Sequence, residues 1–356
     1  IDEVSVITGG YRPEYGRAMG GLLNVVTKSG SNETHGSIFG HATPGFLEGE
    51  RQQPVDLSSS VRATTKLNYV GDIGFELGGP ILTDSLWYYV GADISQQSFQ
   101  LTRKLFRSDG SFIQGTQQDF FAEGTNLQAL AKLTWAPNAD NRVTFTLIAT
   151  PSTSGGNGKF SIDPLTGRPE VGAGSDPILV NMEGTFDSLA NIRRSGSIDG
   201  EIKWTTALLD KKLKFDTSVG YHNEIGGLLP SDGSDISLDA AHRTGLAATP
   251  EVVFRRTAAH SIADFETLPA TAGCDAPGTK PATLCPQANY IAGGPGFTED
   301  QQFNMVQARS VATYLADLAG LHVVKAGAEV GYGAFDELKA HTGDIVYRES
   351  TGGGTY

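Results

Sequence analysis

Reactive side chains are sparse in this sequence, and few of them stand close enough to work together. Cys274 and Cys285 enclose ten residues, among them Pro277, Gly278 and Pro281. In an oxidising compartment such a pair closes into a local disulfide, with about 2 to 3 kcal/mol of loop-ordering benefit. Metal binding is the weaker reading, because no His or second Cys pair stands nearby at ligand spacing. Asp232, Asp235 and Asp239 fall together in the run SDGSDISLD. Their spacing departs from a twelve-residue calcium loop and lacks its closing Glu, so a solvated loop is the default. The histidines (His35, His41, His222, His242, His260, His322 and His341) are scattered over different segments. Gly-x-Ser-x-Gly, the phosphate-loop pattern and His-Glu-x-x-His are all missing. Neither an enzyme nor a cofactor or metal is expected from these residues.

What organises the chain is alternation. Leu213, Phe215, Thr217, Val219 and Tyr221 take turns with Lys214, Asp216, Ser218, Gly220 and His222. Such period-2 patterning marks strands with one apolar and one polar face. The pattern recurs in Leu67, Tyr69, Ile73, Phe75 and Leu77 against Lys66, Asn68, Asp72 and Glu76, and in Leu127–Trp135, Val143–Ala149 and Val324–Tyr332. About nine strands follow: 34–43, 66–78, 86–103, 125–136, 142–150, 193–208, 212–225, 304–318 and 322–340. Short turns at 79–85, 137–141, 209–212 and 319–321 alternate with long polar stretches at about 44–65, 104–124, 151–192 and 226–303. Short turns at one end and long loops at the other are the layout of an antiparallel transmembrane β-barrel.

Composition agrees with that layout. The 356 residues carry 45 glycines and a net charge of −13. Mean hydropathy is −0.20, and no run approaches the ~18 apolar residues of a membrane helix. Strands that alternate lipid-facing and lumen-facing residues average to such a value. The negative balance argues against a nucleic-acid partner, which favours a basic face. Aromatic residues near strand ends (Trp87, Tyr88, Tyr89, Trp135, Trp204, Tyr221, Tyr314 and Tyr332) are placed as interfacial girdles would be, although strand propensity alone favours aromatics.

The N-terminal segment supplies a resemblance. GYRPEYGRAMGGLLNVVTKSGSN, residues 10–32, carries Glu14, Tyr15, Gly16, Arg17, paired Gly20 and Gly21, a strand from Leu22 to Val26, then Thr27, Lys28, Ser29, Gly30 and Asn32. It resembles the end of the plug domain of TonB-dependent outer-membrane receptors, in particular the Oar-like receptors that carry a carboxypeptidase-regulatory-like domain. GGPILTDSLWYYVGADIS, residues 78–95, resembles the second turn and third strand of the same receptors. The resemblance implies a plug end over 1–33 and the first part of a barrel over 34–356, about nine strands of an expected total of about 22. With no leader before Ile1 and a loop-like TGGGTY at 351–356, the chain is expected to be an interior piece of a longer receptor.

Function follows from the resemblance as an expectation. The protein would sit in the outer membrane of a Gram-negative bacterium, among lipid and lipopolysaccharide, with the long loops extracellular. It would bind an unidentified extracellular ligand there and import it when the TonB energy-coupling complex pulls on an upstream segment. In that family plug arginines pair with barrel glutamates, so Arg17 is the candidate latch, with Glu76 its nearest lumen-facing partner and Glu201 and Glu329 further along. A local contact between Glu14 and Arg17 is the alternative. The rival function is an outer-membrane structural or adhesion scaffold, or a subunit of a larger surface assembly, without active transport.

Overall fold

The structure is a computed structural model that describes residues 2–9, 20–49, 59–172, 182–239, 241–255, 260–274, 283–317 and 319–349. Two short strands at the N-terminus, β1 (Glu3–Ile7) and β2 (Leu22–Val26), pair antiparallel. Then comes a ten-stranded antiparallel sheet. Its members are β3 (His35–Pro44), β4 (Val61–Leu82), β5 (Leu86–Leu105), β6 (Gln118–Asn138), β7 (Asn141–Ala149), β8 (Ser152–Gly155), β11 (Asn191–Leu208), β12 (Leu213–Pro230), β17 (Phe297–Asp317) and β18 (Leu321–His341). Neighbours in the sheet are neighbours in sequence, as in an up-and-down barrel wall. Strand β8 continues β7 across a break at Thr150 and Pro151, and both lie between β6 and β11. Proline has no N–H for the ladder. Opposite the break Gly196 takes φ 129°, and a Cβ there would lie 2.2 Å from the Thr150 carbonyl oxygen, so only glycine fits.

The two faces differ as the alternation predicts. Leu133, Phe145, Ile202, Val219, Ala308 and Val330 lie side by side across β6, β7, β11, β12, β17 and β18, an apolar row on one face. Leu133, Phe145, Ile202, Val219 and Val330 are all exposed. The other face carries Lys203, Lys214, Asp216, Arg309 and Lys325 around one hollow. Strand β4 departs from simple alternation. A register shift between Leu67 and Tyr69 reverses its facing: Tyr69, Ile73, Phe75 and Leu77 are exposed with the apolar row, whereas Leu67 is buried beside Phe99. The expected single face from Leu67 to Leu77 is therefore two faces joined by a β-bulge, which re-aims every side chain beyond it.

The long connections are folded, not merely polar. They contain β9 (Ser161–Asp163), β10 (Arg168–Glu170), β13 (Glu251–Phe254), β14 (His260–Ser261), β15 (Pro286–Gln287) and β16 (Tyr290–Gly293), and β19 (Val346–Arg348), which follows β18, pairs parallel with β13. Their apolar side chains meet the ends of the wall strands distant from the short turns. Val61, Leu67, Phe99, Leu101 and Leu105 from β4 and β5 form one core with Phe160, Ile162, Met182, Leu189, Ile262 and Tyr290 from the connections. Phe186 stacks on Phe120 at 5.9 Å and Tyr290 on Phe265 at 4.5 Å. This cap also explains why β4, β6, β12 and β17 extend beyond their expected ends. There the strands pack against folded chain, so their residues need no membrane-like alternation.

Candidate functional site

The residue on which the N-terminal segment converges is Glu76, on the polar face of β4. Lys28 Nζ donates to its two oxygens at 2.9 and 2.7 Å, Tyr89 Oη donates at 2.7 Å and Ser37 Oγ at 3.3 Å. Alternation places them together. Ser37 lies opposite Glu76 and Glu76 opposite Gly91, so glycine leaves room beside the carboxylate while Tyr89 reaches it from two residues away. A second contact runs from Lys132 on β6, whose Nζ donates to the Thr27 carbonyl oxygen at 3.0 Å. A third closes the segment: Asn32 Oδ1 accepts from the Asp84 amide at 2.9 Å and from Trp87 Nε1 at 2.7 Å. Between them Gly30 passes so near the wall that a Cβ would lie 2.2 Å from the Tyr88 carbonyl oxygen.

Thr27, Lys28, Gly30 and Asn32 thus do one job, holding the chain flat against β4, β5 and β6. Lys28 and Glu76 keep 40% and 28% of their side-chain surface exposed, so the ion pair itself contributes about 1 kcal/mol or less. Holding comes from the set of contacts and from fit. The Glu76→Leu variant of the full-length protein is expected to leave the Lys28 ammonium and the Tyr89 hydroxyl without their acceptor. Amide hydrogen exchange over 22–30 should then rise about fivefold, the equivalent of about 1 kcal/mol; exchange unchanged from wild type would show that Glu76 does not hold the segment.

The chain is 35% identical over 369 aligned residues, 99% of its own length, to the TonB-dependent transporter Oar of Myxococcus xanthus. Along nearly its whole length the chain is similar to a TonB-dependent transporter. It spans 34% of that relative's length. The outer membrane transporter YddB from Escherichia coli has a similar fold, with a TM-score of 0.50 and 13% identity over 99% of this chain and 37% of that one. No family profile matches the sequence.

The latch expected of Arg17 and Glu14 falls outside the described residues. Glu76 does meet a cation from the N-terminal segment, and that cation is Lys28. Glu201 lies on the same polar face, in the hollow with Lys203 and Lys214, and Glu329 is cross-strand from Arg309. Cys274 and Cys285 are bonded to each other and fully buried in the cap. Asp232, Asp235 and Asp239 accept from local turn amides, those of Ser234, Ser237 and Ala241. The hydrogen bonds from Ser237 hold the Asp235 carboxyl below the usual carboxylate range. Among the described residues no His, Cys, Asp and Glu group is arranged to hold a metal.

The expected aromatic girdle divides by parity. Trp135, Trp204, Tyr221, Tyr314 and Tyr332 are exposed, and Tyr88 lies opposite Leu133 of the apolar row. Trp87 and Tyr89 do not join them. Adjacent strand residues face opposite ways, so these two turn to the polar face, Trp87 to Asn32 and Tyr89 to Glu76. The sequence alone assigns Lys28 no role. Its one signal there is a cation two residues before Gly30 in the run TKSGSN.

Proposed function

We propose that residues 1–33 are the end of a plug, and that 34–356 form the first part of the barrel of a TonB-dependent outer-membrane receptor. The observation that supports this best is the docking of Thr27, Lys28 and Asn32 on the polar face of a wall whose opposite face is apolar. That arrangement suits a segment lodged inside a barrel whose outer surface meets lipid. In this reading the short turns are periplasmic, the cap is extracellular, and the exposed aromatics sit at the membrane interfaces. Ligand binds at the cap and inner wall. Energy delivered by the TonB complex to an upstream segment displaces the plug and admits the ligand. Arg17 is proposed to add a second cation to the contact that Lys28 makes, and no enzymatic step is assigned.

The test uses the full-length protein. Purified from the outer-membrane fraction, it should bind the periplasmic domain of TonB in a pull-down, and deleting its upstream TonB-interacting segment should abolish that capture. Absence of capture from the intact protein, with normal folding, would transfer the barrel to the scaffold reading, in which the cap serves attachment instead of import.

A further inference from the structure

Where the wall passes into the cap, the break in β7 leaves a recess on the polar face. Asn126, Ser152 and Ser195 lie in register across β6, β8 and β11, and one step further Gly124, Ser154 and Arg193 do the same. Gln97 of β5 joins them, and Ile162, Pro164 and Gly167 of the β9–β10 hairpin form the roof. Gly124 keeps it open, since a Cβ there would already approach the side chains of Ile162 and Ser154 to 3.3 Å.

The lining has a definite chemistry. Arg193 donates through Nε and Nη2 to Glu170 at 3.0 and 2.7 Å, which neutralises the guanidinium and leaves Nη1 for another acceptor. Asn126 and Gln97 are carboxamides that both donate and accept, and Ser152, Ser154 and Ser195 add hydroxyls. Ser154 exchanges hydrogen bonds with the Ile162 backbone, and Asn126 holds Ser152 and Ser95, so an apolar group would strand Arg193 Nη1, Gln97 and Ser195. An anion would meet Glu170, the carboxylate that already satisfies Arg193. A sugar ring finds no aromatic face to lie on, because no aromatic side chain lines the recess. A carboxamide fits, since its carbonyl accepts from Arg193 Nη1 or the Ser195 hydroxyl while its N–H donates to the Gln97 side-chain oxygen.

We propose that this recess is a ligand subsite that takes an amide group of a peptide. The inference rests on the receptor reading above, and it names the class of ligand. The test is saturation-transfer NMR on the full-length protein in detergent, with trialanine and maltotriose as probes, which requires no energised membrane and so is separate from the TonB capture. Trialanine should receive saturation and maltotriose should not. Ser195→Leu from one wall and Gly124→Val from the other should each cut the trialanine signal at least fivefold, with the folded-barrel migration on gels kept. A trialanine signal that both variants leave intact, no trialanine signal at all, or a maltotriose signal that both variants abolish would overturn the assignment. Failure here with TonB capture intact would remove the peptide subsite alone.

Discussion

Replacing Arg103 by Ala should open the cap while leaving the barrel wall folded. Arg103 projects from β5 into the cap core and is 3% exposed. Its Nε donates to the Met182 carbonyl oxygen at 3.0 Å, and Nη1 donates to Glu266 at 3.1 Å and reaches Gln118 at 3.4 Å. Nη2 bonds the second oxygen of Glu266, which also accepts from Tyr290 Oη at 3.0 Å. One planar guanidinium therefore ties the connection before β11 and the connection before β17 to the wall. Burial, and then the Glu266 carboxylate, push the Tyr290 phenol up, so it remains a donor across the physiological range. Truncating Arg103 leaves Glu266 charged, enclosed and short of a partner, at a cost of about 3 to 5 kcal/mol. Limited proteolysis should show rapid cleavage within 260–274 in the variant, against resistance in wild type. The paired change Arg103→Met with Glu266→Leu removes both charges and should recover most of that resistance. If the single variant resists cleavage like wild type, or the pair is no better than the single, the buried pair does not hold the cap.

The difference between what was legible and what was not follows the same boundary between wall and cap. Along the wall each residue answers to one of two solvents, so alternation from Leu213 to Tyr221 or from Val324 to Tyr332 carries the strand, its facing and its partner row. Short turns such as Asn138–Asn141 are equally plain. Beyond the wall the rule lapses. The bulge at Asn68 sends Leu67 to the face opposite Tyr69, and nothing in the alternation from Leu67 to Leu77 announces an extra residue. Phe160, Met182, Ile262 and Tyr290 are separated by polar sequence, and their common core exists only once distant connections pack together. Strand β1 is too short, at Glu3–Ile7, for alternation to mark it on its own. The cysteine pair was readable because its ends are close in sequence; Arg103 and Glu266, 163 positions apart, were not.

The facing of the wall yields the second large effect. Val219 is 50% exposed and lies between Ile202 and Ala308 in the apolar row. If that row meets hydrocarbon, an arginine there must either carry its charge into lipid or distort the bilayer, at about 2 to 4 kcal/mol near the midplane. Gln307 lies on the neighbouring strand and on the opposite face, cross-strand from Gly220 and Gly331, with open space around it. The same arginine at 307 enters the polar interior, next to glycines that leave it room, and should change stability by no more than about 0.5 kcal/mol. The two positions lie on adjacent strands and receive the same arginine, so the introduced charge is matched, and the loss of a β-branched valine accounts for at most about 1 kcal/mol of any difference beyond facing. Val219→Arg should lower the urea midpoint of the full-length protein folded in lipid vesicles and reduce the fraction that migrates as folded barrel, while Gln307→Arg should match wild type. Equal damage at both sites would mean that neither face is singled out by lipid. Damage at 307 alone would reverse the wall, place Glu76 and Lys28 on its outside, and remove the observation on which the plug reading rests.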